Sequence, residues 1–186
     1  MNNNQIKLEN PVRLEELNPT NTLKKIGLHE NHILCDIGAG SGIFTIPAAR
    51  ITRKEVYALD INDEMLSIIS RKAAAEGITN IKLMKVKDDH FEIMDNSIDI
   101  ALLVTVLHEI NNPAVFLAEI KRILKNNGKI VVIEFHKRDT PMGPPIGNRM
   151  GKDEVIDQLI NIGFIVHMAF DLGDNFYCLV FQMEIA

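Results

Sequence analysis

Apolar and polar positions along the chain alternate between two rhythms. Short, nearly continuous apolar runs fall at His32–Ile37, Glu55–Leu59, Ile81–Val86, Ile98–Val104 and Lys129–Phe135. Between them lie longer segments with apolar residues at helical spacing: Ile43–Thr52, Asp63–Glu76 and Ala114–Leu124. A strand covered on both faces has no polar side, so the short runs predict buried parallel strands and the amphipathic segments predict crossover helices. The punctuation agrees. Asn62 precedes two acids and predicts an N-cap, and Gly77 predicts the stop of the same helix. Asn112-Pro113 predicts a second helix start, and Gly128 the end of the turn after that helix. Pro47 sits inside the first helical segment, which therefore either kinks there or starts late.

The remainder fits around this alternation. Thr140–Gly151 carries three prolines and three glycines and predicts a loop. Beyond it, Asp153–Ile162 predicts a helix, and Phe164–Phe170 and Phe176–Met183 predict two strands joined by a hairpin turn at Gly173-Asp174. Upstream, Val12–Gly27 has a weak helical pattern that Pro19 divides into two short helices. Residues 1–10 are polar and predict a loosely attached end. The resulting fold class is α/β, a Rossmann-like doubly wound sheet of seven strands, mostly parallel with an antiparallel C-terminal strand, and helices on both faces. Residues 1–19 form an N-terminal extension and residues 20–186 a single domain.

Composition narrows the setting. The chain has 186 residues, 46% of them hydrophobic and 24% charged, which suits one soluble domain with a full core. A net charge of −5 argues against nucleic acid or an anionic membrane as partner. No apolar run approaches the roughly 20 residues that a membrane span needs, and the first residues lack the apolar stretch of a leader peptide. Cys35 and Cys178 both lie in apolar runs, which predicts buried thiols, a reducing compartment and a cytoplasmic location. Two cysteines exclude an all-cysteine zinc site, and no metal site is expected. A monomer or homodimer is expected.

Candidate chemistry gathers at the ends of the predicted strands. Asp36-Ile37-Gly38-Ala39-Gly40-Ser41-Gly42 closes the first strand. Glycines there allow a sharp turn and let a ligand lie against bare backbone, and the amides at the following helix start favour negative groups. Asp60 ends the second strand, where a carboxylate accepts both hydroxyls of a ribose. A dinucleotide loop would place its third glycine at position 43, which is Ile43. The pattern thus favours an adenosyl ligand without a pyrophosphate.

These residues carry a family resemblance. Cys35–Gly42 resembles the first motif of class I S-adenosylmethionine-dependent methyltransferases, and Tyr57–Leu66 resembles the second. Lys87-Asp88-Asp89 resembles the third, although the family often has glycine where Lys87 stands. Asp95–Asp99 with Ile100–His108 resembles the fourth strand and its lead-in, and Arg122–Lys129 resembles the turn before the fifth. The likeness covers about residues 20–183 and extends to small methyltransferases related to ubiquinone/menaquinone-biosynthesis enzymes. It implies S-adenosylmethionine as cofactor, S-adenosylhomocysteine as product and a small-molecule acceptor. By that resemblance Gly38, Ala39 and Gly40 would pass under the methionine part, with Asp36 acting toward its amino group. Asp60 would hold the ribose, Ile61 would pack on the adenine, Asp88 would accept from the adenine amino group, and the Asp89 amide would meet the ring. Asp60→Ala is expected to weaken cofactor binding and leave the fold intact.

In an open α/β sheet the acceptor lies beyond the carboxyl ends of the strands. After strand four, Thr105 would line the cofactor pocket, His108 would serve as general base or else cap or pack at a helix start, and Glu109 would face solvent or else orient His108. After strand five, His136 is a weaker candidate. The 140–151 loop is expected to form a lid, with Arg149 available to an anionic substrate group. Two alternatives stand beside methyl transfer: a nicotinamide-dependent oxidoreductase, and a non-catalytic protein that keeps the cofactor pocket.

Overall fold

The computed structural model describes residues 3–87 and 90–183. Five strands, β1 (Leu34–Ile37), β2 (Val56–Asp60), β3 (Ile81–Lys85), β4 (Ile98–Val104) and β5 (Leu124–Phe135), run parallel to one another. β6 (Phe164–Leu172) and β7 (Phe176–Met183) complete a seven-stranded sheet of order β3-β2-β1-β4-β5-β7-β6. β7 runs antiparallel to both β5 and β6. The hairpin inserts β7 between β5 and β6, so the strand next to last in sequence becomes the edge. The order reverses between β1 and β4, which opens the crevice where such sheets take ligands.

Side-chain alternation assigns each strand residue to one of two cores. From β5, Ile130 and Val132 join one core, and Val131, Ile133 and Phe135 the other. The first core is closed by α6 (Pro113–Ile123) and α7 (Lys152–Ile160), through Phe116, Leu117, Ile120, Val155 and Leu159. The second is closed by α2 (Pro11–Leu17), α3 (Pro19–Lys25) and α4 (Thr45–Ile51), through Leu17, Leu23 and Ala48. Next to it, α5 (Asp63–Ala75) packs Ile69 and Ala73 on Ala58. Cys35 and Cys178 are buried free thiols in different cores, on opposite faces of the sheet.

Local signals set most boundaries. Asn62 Oδ1 accepts from the Glu64 amide at 2.9 Å and caps α5. Pro47 is the third residue of α4, which starts late as a first-turn proline requires. Pro11 and Pro19 open α2 and α3, as the division at Pro19 predicts.

The N-terminal end differs from its expectation. Asn3–Leu8 is a helix, α1, and its following residue is tied down: Lys72 Nζ bridges Glu9 Oε1 at 2.7 Å and Ser41 O at 2.8 Å. A polar composition hid this attachment, which rests on the Lys72–Glu9 ion pair and on Leu8 beside Gly40 rather than on an apolar stripe. No helix among the described residues is long and apolar enough to cross a membrane.

Candidate active site

The glycine loop follows β1 and turns under the sheet's carboxyl edge. Gly38 and Gly40 adopt left-handed φ of 72° and 53°. A Cβ on Gly38 would stand 2.4 Å from Val106 Cγ2, and one on Gly40 would stand 2.8 Å from Leu8 Cδ1. Backbone conformation and space therefore both demand glycine here.

Asp60, 9% exposed at the tip of β2, reaches back to this loop. Its Oδ2 accepts from Gly40 N and its Oδ1 from Asn62 N, each at 2.8 Å. One carboxylate thus fixes both the loop and the start of α5, and each oxygen keeps acceptor capacity toward the cleft.

The cleft holds about 480 Å³. That lies within the range of small-molecule sites. Gly38, Gly40, Asp60, Ile61, Val86, Phe91, Thr105 and Val106 are on its walls, and Lys7 and Leu8 of α1 reach over it. Ile61 is 76% exposed, an apolar side chain that a flat ring would cover. Bare backbone floor, carboxylate at the second strand tip and uncovered apolar wall together fit an adenosyl cofactor. Asp36 is buried below the loop, its Oδ2 accepting from Thr45 Oγ1 at 2.6 Å. Burial raises its carboxyl to about 7. Ala39 is buried beside it in a small crevice under the loop. Asp88 and Asp89 lie outside the described residues.

The ends of β4 and β5 form a polar cluster behind the cleft. Thr105 has φ of 57°, a strained value for a β-branched residue, held by its amide donating to Ile133 O at 2.7 Å. His108 lies in the short helical turn Leu107–Glu109, its side chain nearly buried and outside the cleft lining. Its Nδ1 lies 2.8 Å from Glu134 Oε2, and its amide donates to Glu134 Oε1 at 3.3 Å. Glu134 is 1% exposed, an acid at the end of an apolar strand. An ionised carboxylate accepts only, so against it Nδ1 donates, and in the neutral ring Nε2 keeps the lone pair. The bond to Glu134 raises the His108 pKa above 6.5, against the opposing effect of burial.

Several expected roles change with these positions. Glu109 is mostly exposed, and its Oε1 lies 3.8 Å from His108 Nε2. Glu134, not Glu109, therefore orients the imidazole. His136 packs on Tyr177 and approaches Asp171 at 3.5 Å, outside the cleft lining.

Arg149 is corrected more sharply. Its Nε donates to Pro144 O, Nη1 to His136 O, Arg138 O and Thr140 Oγ1, and Nη2 to Met142 O. The buried guanidinium staples its own 140–151 loop and leaves little donor capacity for a substrate anion. No group of three or more His, Cys, Asp or Glu side chains among the described residues is placed to hold a metal ion.

Two site residues escaped the sequence. Glu134 had a signal, a lone acid at the tip of a buried strand, the same signal that marks Asp60. Arg13 on α2 had none, because its Nη2 meets Thr105 Oγ1, at 3.0 Å, across 92 residues of sequence.

A family model described as a methyltransferase domain matches residues 35–132. The chain belongs to this methyltransferase-domain family. The match spans the glycine loop, Asp60, the end of β4 and most of β5. A solved S-adenosylmethionine-dependent methyltransferase from Aquifex aeolicus superposes with a TM-score of 0.90 at 27% identity, covering 96% of each chain.

Among curated relatives, the ubiquinone/menaquinone biosynthesis C-methyltransferase of Marinomonas sp. is 28% identical over 124 residues, 65% of this chain and 49% of that protein. The enzyme of the same name from Shewanella pealeana is 29% identical over 119 residues, 62% of this chain and 47% of that protein. The chain spans about half the length of these curated relatives. The class I methyltransferase family and its S-adenosylmethionine cofactor replace the nicotinamide alternative.

Proposed function

We propose that this chain transfers a methyl group from S-adenosylmethionine to a small-molecule acceptor. The observation that carries the reading is Asp60 bonded to the Gly40 amide across a cleft floored by bare backbone. Gly38, Ala39 and Gly40 support the methionine part, Asp36 lies below its amino group, and Asp60 accepts the ribose hydroxyls. Ile61 covers one face of the adenine, and Thr105 closes the wall beside the reacting end. Asp88 and Asp89 keep their proposed adenine contacts. The cofactor supplies an activated methyl on a sulfonium, so alignment is the protein's main task.

His108 accepts the proton of a protic acceptor at Nε2, and Glu134 fixes the ring and stabilises the imidazolium that results. The acceptor is a small molecule, in keeping with relatives named for ubiquinone/menaquinone biosynthesis. Calorimetry with S-adenosylhomocysteine tests the site, and labelled methyl transfer across a panel of phenols, enols, amines and thiols tests turnover. Binding without transfer to any of these would favour the non-catalytic alternative. No uptake of the ligand would refute the site itself.

A further inference from the structure

A buried guanidinium with an unmet donor stands beside the cleft, in an adjoining crevice that shares Gly38, Gly40 and Val104 with it. Arg13 is 6% exposed, and its helix α2 is fixed from behind. Glu16, one turn on, accepts from the amides of Asp174 and Asn175 at 3.3 and 3.2 Å and from Asn175 Nδ2 at 2.8 Å. The Arg13 guanidinium carbon lies 5.6 Å from the Phe135 ring centre and 5.2 Å from that of Phe176. One hydrogen bond restrains its head, Nη2 to Thr105 Oγ1 at 3.0 Å, and the buried Nε has no partner among the described residues. The crevice beside it is lined by Leu8, Asp36, Val104 and the 38–41 backbone.

A buried cation is costly unless its donors are met. Glu134 attracts Arg13 through space, but both its oxygens already face His108. Burial lowers the Arg13 pKa to about 10, so it stays charged at neutral pH. The nearby acids are engaged elsewhere, Glu134 with His108 and Asp36 with Thr45 Oγ1 at 2.6 Å, so neither meets the guanidinium with a hydrogen bond. A planar fork of donors on a pre-positioned helix matches a carboxylate better than a spherical ion.

We propose that Arg13 is the carboxylate receptor of the cleft, using its unpartnered edge while Thr105 holds the other. The proposal rests on the cofactor reading above. The carboxylate has two sources, the amino-acid tail of the cofactor or an acid group on the acceptor, and one experiment separates them.

The full chain, as wild type, Arg13→Lys and Arg13→Gln, is titrated calorimetrically with S-adenosylhomocysteine and with its decarboxylated analogue, which keeps the amine. In a second arm, benzoate and benzamide are titrated into protein saturated with S-adenosylhomocysteine. If the tail is the source, Arg13→Gln weakens S-adenosylhomocysteine roughly 10- to 100-fold and leaves the decarboxylated analogue within about twofold, with Arg13→Lys between. If the acceptor is the source, both cofactor ligands are unchanged, and wild type prefers benzoate while Arg13→Gln does not.

Equal losses for both cofactor ligands with no benzoate preference in wild type would assign Arg13 a merely structural role and overturn the proposal. So would independence from Arg13 in both arms. Should the variants fail to fold, wild type alone decides: equal affinity for the two cofactor ligands, with no preference for benzoate, overturns it. Failure of wild type to bind S-adenosylhomocysteine at all refutes the cofactor reading and the proposal together, an outcome distinct from the others.

Discussion

Asp60→Ala separates what the second-strand acid does for the fold from what it does for the ligand. The substitution removes the acceptors of Gly40 N and Asn62 N, both bonded at 2.8 Å. A hydrogen bond to a charged group contributes about 1.5–3 kcal/mol, and water reaching the freed amides returns part of it. The net loss is then about 2–4 kcal/mol, which for a chain of this size lowers the melting temperature by about 4–16 °C. The sequence alone predicts an intact fold at no cost; the structure predicts a folded but weakened protein with a slackened glycine loop.

Binding of S-adenosylhomocysteine loses the ribose contacts as well, and about 100-fold or more in affinity is expected. Differential scanning calorimetry with and without ligand reads the first quantity, and isothermal titration reads the second. Asp60→Asn provides an internal control. One of its two terminal atoms must face an amide donor with donors of its own, so it keeps at most one anchor. Asp60→Ala melting within about 1 °C of wild type, with unchanged ligand affinity, would refute both halves of the reasoning.

Three further perturbations test other parts of the site. Glu134→Gln removes the negative charge that raises His108 and leaves one amide oxygen able to accept. The His108 pKa should fall, read by NMR titration of the ring protons, and the acidic limb of the activity profile should move to lower pH. The sign for stability follows. A histidine raised above 6.5 on folding contributes fully below 6.5, and that contribution is lost as pH rises through the folded value, so Glu134→Gln should flatten this dependence. An unshifted His108 titration would exclude the pairing.

Gly38→Ala forces a left-handed φ on alanine and a Cβ 2.4 Å from Val106 Cγ2. It should cost roughly 1–3 kcal/mol and abolish detectable S-adenosylhomocysteine binding, and wild-type affinity would show that the loop is not the floor of the site. Arg149→Met strips the 140–151 loop of its staple. Proteolysis within the loop should accelerate by tenfold or more, about 2 kcal/mol of local stability, with ligand affinity unchanged, and a resistant loop would refute the staple.

The strand-helix alternation was legible because period and punctuation are local properties. Ile98–Val104 and Phe176–Met183 match their predicted bounds, and Asn62 caps its helix as its position before two acids implies. The glycine turn and the place of Asp60 beside it were equally legible, because one turn of backbone and one strand tip carry them.

The acceptor half was not. His108 has two glutamates in reach, and its sequence neighbour Glu109 faces solvent, as one of its two readings expected. Only the pairing of β4 with β5 brings Glu134, 26 residues away, to 2.8 Å from Nδ1. Arg149 reads as available to a substrate anion until the fold surrounds it with the carbonyls of His136, Arg138, Met142 and Pro144. By itself, then, the order of residues determined the layered sheet, the glycine turn and Asp60, since each depends on short-range conformational preference and apolar periodicity. Tertiary structure alone decided that Arg13 and Glu134 meet at Thr105 and His108. Long-range burial selects the partners of polar groups, and no spacing along a chain encodes which distant donors and acceptors the fold will leave facing one another.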